Sequence, residues 1–124
     1  MRIAFYGLGG KVGTAVAPVL EATGHEVVDA RSAGPTGCDV AIDFTRPDAV
    51  VANIGTCLAA GVPVVIGTTG FDVEALDEAA RAAGVPCLFA PNFAIGAVLM
   101  MRFAEEAARV LPQAVIVELH HETK

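Results

Sequence analysis

Glu118, His120, His121 and Lys124 crowd into the seven residues ELHHETK at 118–124. An imidazole gives or takes a proton near neutral pH, and an ammonium group holds a carboxylate. His120 therefore has the chemistry of a general acid, and Lys124 that of an anchor for an anionic substrate. On an extended chain His120 falls on the same face as Glu118, and His121 on the other. A pair of metal-ligating histidines is the competing chemistry. Adjacent strand residues diverge and no Cys or third His lies close by in sequence, so no metal is expected. Ser32 is the only serine and is not framed as a nucleophile elbow, which leaves hydrolase chemistry unsupported.

A second cluster lies at the other end of the chain, in FYGLGGKVG at 5–13. Glycines at 7, 10 and 13, with an additional Gly9, make G-x-x-G-x-x-G; Val12 occupies the last position of the strict G-x-G-x-x-G form. A strand that reverses into a helix while a pyrophosphate approaches the backbone needs residues without Cβ. The helix start then offers N–H groups and a positive dipole end to the anion. Gly7, Leu8, Gly9, Gly10, Lys11 and Val12 are therefore expected to form a dinucleotide turn. Asp29, roughly twenty residues on, is placed to bind the hydroxyls of an adenosine ribose; a strand-end carboxylate in solvent is the alternative. Lys11 and Arg31 are cations suited to a 2′-phosphate, which leaves NADH and NADPH both open.

The elements that must position these groups read as alternating strands and helices. Runs rich in Val, Ile and Phe fall at 2–6, 26–30, 39–44, 62–67, 86–90 and 114–119, and helical stretches at about 11–23, 47–60, 72–83 and 93–110. That alternation predicts an α/β, Rossmann-like, doubly wound parallel sheet of about six strands in three layers. The link RSAGPTGC after the second strand is too short for a full crossover helix, so thin cover is expected at one edge. A single dinucleotide-binding domain over 1–111 follows, with 112–124 as a last strand and the start of a segment leading onward.

In such a sheet ligands lie across the carboxyl ends of the strands. Three strand-to-helix loops stand there: DFTRPD at 43–48, GTTG at 67–70 and APNFAIG at 90–96. Thr68 and Thr69 are candidates to hydrogen-bond a nicotinamide ribose, and Phe44 or Phe93 to shape the ring's pocket. Ordinary turn chemistry explains the same residues.

Composition narrows the class. The 124 residues are 54% hydrophobic and 18% charged, the opposite of a disordered chain and enough for one core. A net charge of −6 argues against binding along a nucleic-acid backbone. Cys38, Cys57 and Cys87 read as three reduced core thiols in a cytoplasmic protein. No secretory signal is evident, and the apolar run 93–101 is about half a membrane span.

With these motifs in order, the chain closely resembles the N-terminal part of the dihydrodipicolinate reductase family. The resemblance runs through GLGGKVG (7–13), AIDFTRP (41–47), GTTG (67–70), APNFAIG (90–96) and ELHHETK (118–124). It implies a cytoplasmic reductase that moves a hydride from NADH or NADPH to a cyclic dicarboxylate imine on the route to diaminopimelate and lysine. It implies pyrophosphate contacts from Gly7 to Val12. Gly67, Thr68, Thr69, Ala90, Pro91, Asn92 and Phe93 resemble the nicotinamide-side contacts. His120 resembles the family's proton donor, His121 a substrate contact and Lys124 the second catalytic residue. The family continues into a second domain that completes the substrate site and builds a homotetramer. This chain is therefore expected to be the cofactor-binding half, nearly inactive alone and prone to self-association. A stand-alone NAD(P) sensor or an interaction module is the alternative, though a sensor has no need of HHETK.

Overall fold

The structure, a computed structural model, describes residues 1–113, 115 and 117. The chain divides into two compact units, Met1–Pro91 and Asn92–Lys124.

In the first unit five short apolar runs become parallel strands: β1 (Arg2–Tyr6), β2 (Glu26–Asp29), β3 (Val40–Asp43), β4 (Val64–Ile66) and β5 (Cys87–Phe89). They are ordered β2-β1-β3-β4-β5. The predicted strand at 114–119 falls largely outside the described residues, which contain five strands.

The connecting helices are α1 (Lys11–Ala22), α2 (Ala30–Ala33), α3 (Pro47–Ala60) and α4 (Val73–Ala83). The step from β1 to β2 runs one way across the sheet and the later steps run the other. Right-handed crossovers therefore put α1 on one face and α2, α3 and α4 on the opposite one, giving three layers. The short link after β2 is closed by α2, four residues long, with Asp29 as its cap.

Register decides where the loops emerge. Tyr6 pairs with Asp43, Asp43 with Ile66, and Ile66 with Phe89. The ladder runs one residue further, with the Phe44 N–H donating to the Tyr6 carbonyl at 3.1 Å and the Gly67 N–H to the Asp43 carbonyl at 2.9 Å. The loops after β1, β3 and β4 thus leave from one edge.

On the face toward α3 and α4, Ala4, Tyr6, Ala41, Val64 and Ile66 bury against Val50, Ile54 and Cys57. Pro47 at the start of α3 and Gly61 in the left-handed conformation at its end, φ 68°, set that helix's limits. Burial, with neighbouring Cys57, pushes the Tyr6 hydroxyl up to about 12. Burial pushes the Cys57 thiol up to about 11. Both groups stay neutral at physiological pH.

The second unit carries α5 (Ile95–Ala108), none of whose residues is buried. Among the described residues no helix is long and apolar enough to cross a membrane.

Candidate functional site

The order β2-β1-β3 makes β1 and β3 neighbours although their following helices lie on opposite faces. Loops leaving that pair diverge, and a cleft opens between them. It measures about 840 Å³, in the range of small-molecule sites.

One wall is the glycine turn. Gly7 has φ +88°, and a Cβ there would run into the Phe44 carbonyl oxygen, so this position tolerates no side chain. The Gly7 carbonyl accepts from the Gly10 N–H at 2.9 Å, which closes the turn. At buried Gly13 a Cβ would strike the carbonyls of Gly7 and Leu8, and its absence lets α1 start hard against the turn. Gly9 faces open space. Gly10 caps α1 without a side-chain hydrogen bond, and the first turn of α1 contains no acidic residue. The helix start therefore presents uncapped N–H groups and no opposing acid, an arrangement that favours an anion.

The other wall comes from the segment after β3. Phe44, Thr45, Arg46 and Ala49 line it, with Lys11 and Val12 opposite and Arg31 also on the rim. The Phe44 ring stacks on Phe5 with centroids 6.4 Å apart and covers Gly67 so closely that a Cβ there would meet the ring. Three cations, Lys11, Arg31 and Arg46, thus border one cleft on a chain whose net charge is −6. Arg46 is exposed and pairs with Asp48 at 2.7 Å.

Residues 23–93 match the family model described as the N-terminus of dihydrodipicolinate reductase. The chain belongs to the dihydrodipicolinate reductase family. It is 46% identical over 134 aligned residues to the 4-hydroxy-tetrahydrodipicolinate reductase of Cutibacterium acnes (strain DSM 16379 / KPA171202), covering 100% of this chain and 54% of the relative. The corresponding enzyme of Nocardia farcinica (strain IFM 10152) is 45% identical over 138 residues, covering 100% and 55%. The chain therefore spans about half the length of the curated relatives it matches. Among solved structures, a dipicolinate-bound dihydrodipicolinate reductase from Paenisporosarcina sp. TG-14 superposes with a TM-score of 0.69 at 34% identity, covering 90% of this chain and 55% of that one.

Within this dihydrodipicolinate reductase fold the expected site residues distribute unevenly. Gly7, Gly9, Gly10, Lys11, Val12, Arg31 and Phe44 come together in the cleft. Asp29 caps α2, its carboxylate accepting from the Arg31 N–H at 3.0 Å. Thr68 is buried, and its hydroxyl donates to Asp43 at 2.7 Å and accepts from the Thr45 N–H at 2.8 Å; that hydroxyl faces inward. Thr69 is exposed. Ala90 and Pro91 follow β5 in the first unit, while Asn92 and Phe93 open the second. His120, His121 and Lys124 lie outside the described residues.

Sequence reasoning singled out the DFTRPD loop that holds Thr45 and Arg46 without giving either a role, and passed over Ala49. For Thr45 and Arg46 the signal was present: Pro47 opens α3, so the residues just before it form the rim at the end of β3; Ala49 lies inside the first turn of α3.

Proposed function

We propose that this chain is the dinucleotide-binding half of a cytoplasmic reductase that uses NADH or NADPH to convert 4-hydroxy-tetrahydrodipicolinate to tetrahydrodipicolinate in diaminopimelate and lysine biosynthesis. The observation that carries this reading is the cleft between the glycine turn and the Phe44–Arg46 wall, rimmed by three cations.

The residues present fit a dinucleotide. At Gly9, on the cleft, a Cβ would meet nothing within 4 Å, so the bare backbone there leaves room for a pyrophosphate to approach. Gly7 to Val12 would hold the pyrophosphate, with Lys11 compensating its charge, and Asp29 and Arg31 would meet the adenosine ribose. The bound cofactor supplies a hydride. Gly67, Thr68, Thr69 and the 90–93 segment would orient its nicotinamide end, Thr68 through its main chain since its hydroxyl is engaged. His120 would donate the proton that completes reduction, and Lys124 and His121 would hold the dicarboxylate. Residues 1–111 make up the dinucleotide-binding part, and 112–124 lead toward the region that completes the substrate site and assembles the tetramer.

The test is a calorimetric titration of the folded 124-residue chain with NADH and, in parallel, NADPH. Saturable binding of either is expected, and Arg31→Ala should weaken NADPH more than NADH. A folded chain that binds neither would overturn the reading.

A further inference from the structure

Asp43 ends β3 with its side chain fully buried, 0% exposed. Among the described residues no lysine or arginine pairs with it. Its partners are neutral donors. One carboxylate oxygen accepts from the Thr45 N–H at 3.0 Å, the Thr45 hydroxyl at 2.7 Å and the Thr68 hydroxyl at 2.7 Å. The other accepts from the Asn53 amide at 2.8 Å. A carboxylate without a counter-ion is costly to bury. A carboxylate is acceptor-only on both oxygens and so takes all these donors with no donor of its own left to satisfy, and hydrogen bonds to an ionised oxygen are the strong kind.

The donors come from separate pieces of chain. Thr45 belongs to the segment after β3, Thr68 to the loop after β4, and Asn53 to the middle of α3. Thr45 is held twice, since its N–H is shared between Asp43 and the Thr68 hydroxyl. The piece so fixed is the cleft wall: the Phe44 carbonyl abuts Gly7 and the Phe44 ring covers Gly67, while Thr45 faces the cleft.

We infer that Asp43 is a positioning residue for dinucleotide binding, a buried clamp that sets the wall opposite the glycine turn without touching the ligand. The inference rests on the dinucleotide reading of the cleft. If the clamp sets geometry, loosening it costs affinity beyond any general loss of stability.

The experiment titrates NADH into five folded proteins: the unaltered chain, Asp43→Asn, Thr68→Val, Thr68→Ser and Val64→Ala, each with a thermal melt. Val64 is buried in β4 away from the cleft lining and serves as the control for plain destabilisation. Asp43→Asn and Thr68→Val should each weaken NADH by about ten-fold. Thr68→Ser keeps the hydroxyl and should stay within about two-fold, as should Val64→Ala despite its lower melting temperature. If Asp43→Asn loses its cooperative transition, Thr68→Val decides. Affinity unchanged in both clamp variants, or weakened equally in Val64→Ala, overturns the clamp alone. No binding by the unaltered chain overturns the dinucleotide reading and the clamp with it.

Discussion

Helices α1 and α4 begin in opposite ways. At α4, Asp72 caps the first turn by accepting from the Ala75 N–H at 3.0 Å, Glu74 adds negative charge there, and Gly84 in the left-handed conformation closes the other end at φ 65°. Each of these devices satisfies orphan backbone groups or complements the helix dipole. At α1 the cap is Gly10, with no side-chain hydrogen bond and no acid in the first turn. One helix is finished by its own sequence; the other is left open where the cleft begins. Side-chain caps are also absent at α3 and α5, so what sets α1 apart is that its uncapped, acid-free start borders the cleft.

The largest disturbance of that contrast should come from Gly7→Ala. A side chain at φ +88° that also collides with a backbone carbonyl should destabilise the chain by about 2 kcal/mol or more. NADH binding should then fall below detection by calorimetry. A variant that melts and binds like the unaltered chain would show that the turn is not under the constraint described.

Alkali tests the scaffold instead. The ordinary values of Cys57 and Tyr6, 9.0 and 10.0, rise on folding to about 11 and about 12, chiefly through burial. Below pH 9 both groups are protonated, folded or unfolded, and their contribution is intact. As pH climbs through 9 to 12 the unfolded chain releases these protons first, so stability falls. Melting temperature followed across that window should decline, and Tyr6→Phe with Cys57→Ala should flatten the decline.

Gly9→Asp sharpens the comparison by placing a carboxylate at the open end of α1, where a Cβ meets nothing within 4 Å. Melting should change little, while NADH affinity should drop by about ten-fold through like-charge repulsion. Asp72→Ala does the reverse, lowering stability by about 1 kcal/mol and leaving NADH affinity unchanged.

Much of this architecture was legible because it is local. The runs RIAFY, EVVDA and DVAIDF are rich in apolar and β-branched residues, and β1, β2 and β3 formed within one residue of the bounds expected from them. Gly7 was readable because a strand-to-helix reversal announces its own need for φ > 0. The four-residue α2 was missed because its only local sign is Asp29 before Ala30, which reads equally as a strand end. The Asp43 network was illegible for a different reason. Two of its donors, Asn53 and Thr68, lie 10 and 25 residues downstream, so within AIDF the carboxylate resembles a polar strand terminus. For the same reason nothing near Thr68 in sequence signalled that its hydroxyl, a candidate to bond a ribose, donates to Asp43.

The packing of Phe44 has a consequence for how sequences of this fold can vary. Its carbonyl occupies the space a Cβ would need at Gly7, and its ring the space a Cβ would need at Gly67. Three positions spread over 61 residues of chain, 7 to 67, are therefore not independent. Growth at Gly67 becomes tolerable only after the ring at 44 has shrunk, whereas Gly7 gains nothing from that exchange because its obstacle is backbone. Mutational paths through this corner are ordered: the aromatic must change before the second glycine, and the first glycine is not eased by that change.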